Sequence, residues 1–155
     1  MARLKLGIIG CGGIANGKHL PSLKAIDRAD IVAFCDLVVE RAEKAAKEYG
    51  VPGAKVYTDY HELLKDESID VVYVLTPNRS HADISIDALN AGKHVMCEKP
   101  MAKCAADARR MVEAAKKSGK KLTIGYQHRQ KAESQYVKAC IERGDLGEIY
   151  YAKAY

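Results

Sequence analysis

A glycine-rich turn near the amino terminus is the first place where the sequence could do chemistry. Residues 10–15, Gly-Cys-Gly-Gly-Ile-Ala, follow a short apolar run and have the G-x-G-x-x-A spacing of a dinucleotide-binding turn. Gly10 permits a tight turn, Gly12 lets the backbone approach a pyrophosphate, and Ala15 lets the following helix pack closely. Free N–H groups at the helix start would bind the diphosphate charge. The cofactor-binding candidates in this turn are Gly10, Gly12, Gly13 and Ile14.

An acidic residue strengthens the prediction of a dinucleotide site. A glycine-rich turn alone is weak evidence, because it can be present only to let a strand and a helix pack together. Asp36 ends a second apolar run about twenty residues after Ala15, where a Rossmann domain places the carboxylate that binds the adenosine ribose hydroxyls. A carboxylate there would repel a 2′-phosphate, so NAD is expected as the cofactor and NADP is less favoured. Arg41 lies close enough in sequence to keep NADP open, although the alternating charges around it are typical of a solvated helix face.

Two further clusters follow later apolar runs. Residues 76–81, Thr-Pro-Asn-Arg-Ser-His, begin where one run ends, and Asn78 or Ser80 could simply cap the next helix. Residues 97–100, Cys-Glu-Lys-Pro, follow the next run. There the Lys99 ammonium could position a hydroxyl or polarise a carbonyl, or it could form an ordinary ion pair. Both clusters are expected at the carboxyl ends of strands, beside the crevice where doubly wound sheets bind ligands.

The elements that must position these residues alternate along the chain. Short β-branched or apolar runs predict strands over residues 4–9, 31–35, 71–75, 94–97 and 121–125, with a further short strand over 55–57. Apolar residues at helical spacing predict helices over residues 14–25, 39–49, 60–64, 80–91 and 105–117. This alternation predicts an α/β fold with a doubly wound parallel sheet, a Rossmann domain, over residues 1–125.

The pattern changes after Gly125. A helix is predicted over residues 131–143, a turn over 144–147 and a tyrosine-rich strand over 149–155. Residues 126–155 are therefore expected to be a linker with the first helix and strand of a second α/β domain that the chain does not complete. A final strand without a partner exposes an unpaired edge, so self-association into a homo-oligomer is expected.

The amino-acid composition indicates a globular protein without disulfides or a metal site. A chain of 155 residues can bury one substantial core, and a 48% hydrophobic content with interspersed charges is typical of globular proteins. The five cysteines are odd in number and lack CxxC spacing, which predicts no disulfide framework, no metal site and a reducing, cytoplasmic setting. The net charge is +5, but basic and acidic residues alternate along the predicted helices, so nucleic acid is not predicted as a partner. The sequence shows no signal peptide and no apolar run long enough to cross a bilayer, so a membrane is not predicted as a partner either.

Together these motifs resemble the Gfo/Idh/MocA oxidoreductase family. The resemblance lies in residues 7–15, 76–81, 92–102 and 125–129, and it extends to residues 144–149, so it covers nearly the whole chain. It implies an amino-terminal Rossmann domain followed by an α/β domain with a large, mainly antiparallel sheet. It also implies hydride transfer between NAD or NADP and a sugar, inositol or related polyol.

The resemblance further implies a role for each motif residue. Gly10, Gly12 and Asp36 would hold the dinucleotide. Thr76, Asn78 and His81 would flank its nicotinamide side, and Glu98 would help to fix the cofactor. Lys99 would be the catalytic residue that lies beside the substrate.

Members of this family usually take their general acid or base, an Asp and His pair, from the second domain, which this chain does not reach. The sequence therefore predicts cofactor binding without efficient turnover from this polypeptide alone. Two alternatives stay open: a glycosidase or lyase of the same family that uses NAD transiently, and a dinucleotide-binding module without chemistry. The substrate itself is not predicted, because the residues that would contact it lie mostly outside the chain.

Overall fold

The computed structural model describes residues 3–153. They fall into two compact units, residues 3–125 and residues 126–153. The first unit contains the strands β1 (Leu4–Ile9), β2 (Ala29–Cys35), β3 (Lys55–Tyr57), β4 (Val71–Val74), β5 (His94–Cys97) and β6 (Leu122–Ile124). They form one six-stranded sheet in the order β3-β2-β1-β4-β5-β6, and every neighbouring pair is parallel. This is the doubly wound order, and the predicted Rossmann fold is confirmed.

Helices connect the strands, as parallel pairing requires. They are α1 (Leu20–Lys24), α2 (Val39–Tyr49), α3 (Tyr60–Leu64), α4 (His81–Asn90) and α5 (Ala105–Ser118). The helix predicted over residues 14–25 begins with a π-helical segment, Ala15–His19, that continues into α1. A 3-10 turn, Asn78–Ser80, likewise precedes α4, so two of the connections that follow the candidate motifs start with irregular turns.

The core lies on both faces of the sheet. Ile8 and Ile9 are neighbours in β1, yet they belong to different clusters of buried side chains, because successive residues of a strand point to opposite faces. One cluster packs Ile8 against residues of α1 and α2, and the other packs Ile9 against residues of α3, α4 and α5. Burial on both faces accounts for the nearly continuous apolar character of the strands.

The second unit contains a 3-10 turn, Gln127–Gln130, and the helix α6 (Ala132–Arg143). The strand predicted over residues 149–155 is wrong as far as the structure describes it, since residues 149–153 form no strand, and residues 154 and 155 lie outside the described part. The physical reason is that a strand is stable only when another strand pairs with its N–H and C=O groups, and no described strand of this unit does so. The edge on which the predicted self-association rested is therefore not formed there.

Candidate functional site

The candidate site lies where neighbouring strands end at the same edge of the sheet. Backbone hydrogen bonds continue past the strands: Gly10 N–H donates to the Cys35 carbonyl at 2.8 Å, Leu75 N–H to the Ile9 carbonyl at 2.8 Å and Glu98 N–H to the Val74 carbonyl at 3.0 Å. Backbone hydrogen bonds thus connect the carboxyl ends of β1, β2, β4 and β5. The crossovers change direction between β1 and β4, and doubly wound sheets bind ligands at that point.

The turn after β1 packs tightly on the end of β4. Gly10 has a φ of +95°, and a Cβ added there would lie 2.8 Å from the carbonyl carbon and oxygen of Leu75. Glycine is required here both for the left-handed conformation and for the close approach. By contrast, a Cβ on Gly12 or Gly13 would meet nothing within 4 Å, so the surface above this part of the turn is open.

Residues 13 and 14 are already helical and lead into the π-helical segment Ala15–His19. The first N–H groups of a helix have no acceptor within the helix. Asn16, which the sequence analysis did not single out, donates through its side-chain amide to the carbonyls of Cys11 at 2.7 Å and Gly12 at 2.9 Å. Those carbonyls are thereby occupied by a side chain of the helix. An open surface with free N–H groups at a helix start fits a dinucleotide diphosphate.

Asp36 joins the end of β2 to the glycine turn. Its Oδ2 accepts the Cys11 N–H at 2.8 Å, and its Oδ1 accepts the Val38 N–H at 2.9 Å. A carboxylate has about four lone-pair sites, so each oxygen can accept a further hydrogen bond from a ligand hydroxyl. Burial, and after it the Asp36 charge, raises the pKa of the Cys11 thiol to about 12, so Cys11 remains protonated and is not a nucleophile.

The turn after β4 presents two of its predicted site residues, since Thr76 is partly exposed and Asn78 is exposed. The alternative that Asn78 or Ser80 only caps the next helix is not supported, because α4 has no side-chain cap hydrogen bond. The Ser80 hydroxyl instead lies 2.8 Å from Thr76 Oγ1 and 2.9 Å from the Pro77 carbonyl oxygen, within the turn itself.

His81 requires a correction to its expected place beside the nicotinamide. Its side chain has no exposed surface. Nδ1 lies 2.7 Å from the Pro100 carbonyl oxygen and Nε2 lies 2.8 Å from the Thr76 carbonyl oxygen. Both ring nitrogens are thus engaged with the backbone, and the ring lies beneath the turns that line the crevice. The reason is that His81 is the first residue of α4 and is buried there, where the Thr76 and Pro100 carbonyls lie within hydrogen-bond distance of its ring.

The turn after β5 separates a buried carboxylate from an exposed ammonium. Glu98 is 7% exposed: its Oε1 lies 2.8 Å from His19 Nε2, and its Oε2 accepts the Lys99 N–H at 2.9 Å. Glu98 is predicted from the sequence to fix the cofactor, whereas both of its carboxylate oxygens contact protein groups. His19 was missed because its partner lies 79 residues away and no local pattern joins the two.

Lys99 is exposed beside this buried pair, and its peptide bond to Pro100 is cis. Among residues 3–153 no carboxylate lies within ion-pair distance of its ammonium, so the ordinary ion pair considered above is not formed there. An ammonium has three donors and no acceptor, and those donors are available to a ligand.

Other features of the first unit lie away from these turns. A surface cavity of about 440 Å³ lies between α5 and β6, and one of about 390 Å³ lies after α2. In the described part of the chain no cluster of His, Cys, Asp or Glu could hold a metal ion, and no helix combines the length and apolar character needed to span a bilayer.

Comparison with known proteins agrees with this geometry. Residues 4–126 match the family model described as an oxidoreductase family with an NAD-binding Rossmann fold. The inositol 2-dehydrogenase of Salmonella paratyphi B is 41% identical over 147 residues, which are 94% of this chain but 43% of that protein. The chain thus spans less than half the length of the curated relatives it matches.

Solved structures are similar over the same part. The WlbA dehydrogenase of Bordetella pertussis, in complex with NADH and UDP-GlcNAcA, has a TM-score of 0.88 at 33% identity, over 96% of this chain and 42% of that one. KijD10, a 3-ketoreductase of Actinomadura kijaniata in complex with NADP, has a TM-score of 0.84 at 30% identity, over 95% of this chain and 46% of that one. Similar domains therefore bind either nicotinamide cofactor.

Proposed function

Because this chain belongs to the Gfo/Idh/MocA oxidoreductase family, we propose that it is the cofactor-binding domain of a dehydrogenase. The enzyme would transfer hydride between NAD and a carbon of a sugar, inositol or related polyol. The observation that carries the proposal is the exposed Lys99 ammonium, which has no partner among the described residues. It stands after β5, at the same edge of the sheet as the glycine turn after β1. A protein that only bound the dinucleotide would have no need of that ammonium.

The glycine turn binds the diphosphate in this proposal. The N–H groups at the helix start, from Gly12, Gly13 and Ile14, donate to the phosphate oxygens, and the helix dipole favours their charge. Gly10 sets the turn against Leu75. Thr76 and Asn78 line the crevice on the side of β4, where they would contact the nicotinamide half of the cofactor.

Asp36 selects NAD in this proposal. Its oxygens, already oriented by the N–H groups of Cys11 and Val38, accept the adenosine ribose hydroxyls. A 2′-phosphate at that place would bring like charges together. Because solved relatives are seen with NADH and with NADP, this choice rests on Asp36 rather than on the family.

Lys99 acts on the substrate. When bound, the nicotinamide ring supplies the hydride acceptor or donor. The ammonium donates to the oxygen of the reacting carbon, holds it in place and stabilises negative charge as that oxygen loses its proton. The group that removes the proton, together with the rest of the substrate pocket, would come from the region that the relatives have and this chain does not span.

The first test is calorimetric titration of the 155-residue chain with NAD and, separately, with NADP. The proposal expects binding of NAD with at least about tenfold weaker binding of NADP. Equal affinities would contradict the role of Asp36, and absence of binding to either would contradict the cofactor site.

The second test uses the longer polypeptide that we propose. Lys99→Ala should abolish turnover of a polyol while NAD affinity is retained. Net NADH production would identify a dehydrogenase, and turnover without it would place the protein with the glycosidases that use NAD transiently. If Lys99→Ala left turnover unchanged, Lys99 would have no role in catalysis, and if the longer polypeptide bound NAD but turned over no polyol, a binding module would be favoured.

We also propose that the protein works in the cytoplasm and as a homo-oligomer. All five cysteines are unpaired, as expected in a reducing compartment. In the second unit Tyr136, Tyr150 and Tyr151 are 69%, 95% and 72% exposed, an unusual exposure of large apolar rings that association would relieve. Sedimentation at several concentrations tests this, and a monomer at all of them would contradict it.

A further inference from the structure

We propose that two histidines, His81 and His19, are positioning residues that hold the Lys99–Pro100 turn from its two sides and so fix where the Lys99 ammonium lies. His81 acts on the Pro100 carbonyl, and His19 acts through Glu98 on the Lys99 N–H. The inference rests on the role proposed above for Lys99. It gives a positioning role to two residues that do not themselves contact cofactor or substrate.

His81 joins the turn after β5 to the turn after β4. Its two nitrogens approach the carbonyl oxygens of Pro100 and Thr76 at 2.7 and 2.8 Å. Carbonyls only accept, so a ring with hydrogens on both nitrogens donates to both, whereas a neutral ring donates to one. The ring has no exposed surface, so it is shielded from solvent, and it bridges the two carbonyls.

His19 secures the other side of the turn. The His19 and Glu98 side chains are 15% and 9% exposed, so their contact at 2.8 Å is well shielded from solvent. The second Glu98 oxygen accepts the Lys99 N–H at 2.9 Å, a hydrogen bond to a charged group and stronger than one between neutral groups. A Cβ on Gly125 would lie 3.3 Å from Oε1, so the glycine after β6 leaves the space that the carboxylate occupies.

The two contacts act on consecutive residues. The N–H of Lys99 and the carbonyl of Pro100 are fixed, while the Lys99 side chain is left exposed and unpaired among the described residues. The fixing groups come from the segment after the glycine turn and from the first residue of α4. Catalytic groups work best when the backbone that carries them is held by such supporting contacts.

The test uses amide hydrogen exchange, read by NMR, in the 155-residue chain. His19→Leu removes the donor to Glu98 and should speed exchange of the Lys99 N–H by about tenfold or more, because that amide loses an oriented carboxylate acceptor. His19→Gln keeps a donor and should restore most of the protection. His94→Asn, a half-buried histidine at the opposite end of β5, is the matched control and should leave Lys99 exchange within about twofold.

Amide exchange in the core of the sheet serves as the internal reference for exchange at Lys99. Exchange at Val72 should stay the same in every variant that supports the proposal, which separates a loosened turn from a loosened domain. Unchanged Lys99 exchange in His19→Leu would overturn the role of His19. Equal acceleration at Lys99 and Val72 would also overturn it, in favour of a role in general stability.

The variants of His81 are His81→Leu and His81→Gln. His81→Leu should mobilise the Lys99 turn while His81→Gln restores it in part. If His81→Leu does not fold, His81→Asn takes its place, because the shorter amide cannot reach both carbonyls. Unchanged exchange at Lys99 in the folded variant would overturn the role of His81.

Activity of the longer polypeptide separates this inference from the proposed function. His19→Leu should lower kcat by about tenfold or more with little change in the KM for NAD, and His19→Gln should recover it. If Lys99→Ala has no effect on turnover, the proposed function fails, yet the exchange data still show whether the histidines hold the turn. If Lys99→Ala is inactive but His19→Leu is unaffected in kcat, only the inference fails.

Discussion

The Asp36 carboxylate accepts the backbone N–H of Cys11 at 2.8 Å, so the residue proposed to bind the ribose also supports the turn proposed to bind the diphosphate. Both halves of the dinucleotide site therefore depend on one side chain. The second oxygen of the same carboxylate accepts the Val38 N–H, which orients the group before any ligand arrives.

Asp36→Asn is expected to reverse part of the cofactor preference. The amide removes the negative charge that opposes a 2′-phosphate, and one of its oxygens is lost as an acceptor. NAD affinity should fall by about tenfold, while NADP affinity rises or is unchanged, in calorimetric titrations. Asp30→Asn is the control, since that carboxylate pairs with Arg3 at the opposite end of β2. Equal losses for both cofactors would mean that Asp36 only supports the turn.

Gly10→Ala should lower the stability of the domain, whereas Gly12→Ala should weaken NAD binding and leave the stability unchanged. At Gly10 a Cβ would lie 2.8 Å from the Leu75 backbone at a φ of +95°, so a loss of about 2 to 4 kcal/mol in unfolding free energy is expected. At Gly12 a Cβ meets no protein atom within 4 Å, so stability should be retained. That methyl group would occupy the open surface and weaken NAD binding.

Urea unfolding and calorimetry measure the two effects on the same samples. The prediction would be contradicted by a Gly12→Ala variant that binds NAD normally, because the diphosphate would then not approach that turn. A Gly10→Ala variant of normal stability would show that Leu75 can move away.

The sequence predicted the parts of the site that follow from position along the chain. Gly10 and Asp36 come directly after a strand, and Thr76 and Lys99 are the second residues after one. Parallel strands bring their carboxyl ends to one edge of the sheet. A local pattern is enough to place such residues.

Contacts between distant segments could not be predicted in this way. His19 and Glu98 meet only after the sheet has formed, and a histidine such as His81 at the start of a helix carries no local sign that its ring will be buried. The strand over residues 149–155 failed for a related reason: its tyrosines favour extended structure, but a strand also needs a partner, which propensity does not supply.

Thiol labelling should distinguish one cysteine from the others in the folded chain. Cys104 is exposed, whereas Cys11, Cys35 and Cys97 are buried and have thiol pKa values that burial raises to about 12, about 12 and about 11. At pH 8, iodoacetamide should therefore modify Cys104 long before these three, because the thiolate is the reactive form. Peptide mass spectrometry follows the order, with urea-unfolded chain as the control. Early labelling of Cys11 would mean that the glycine turn opens readily.

Asp66 should contribute an acid-sensitive part of the stability. Its pKa is lowered to about 2, chiefly by the hydrogen bond from the Lys55 ammonium and then by Ser68. A carboxyl whose pKa is lower in the folded state stabilises the fold above its unfolded pKa of about 3.9, and that contribution is lost as the pH falls toward 2.

Asp66→Asn should therefore cost about 1 kcal/mol at pH 7, a modest amount because Lys55 is largely exposed and solvent screens the pair. The difference between wild type and variant should shrink as the pH falls below about 4 and disappear only below about pH 2, the pKa of Asp66 in the folded chain. Urea unfolding at a series of pH values measures it, and Asp83→Asn, an exposed carboxylate whose contact with Arg110 is 3.5 Å long, is the control. A difference that stays constant with pH would show that the Asp66 side chain matters for its shape and hydrogen bonds, since its charge would then contribute nothing.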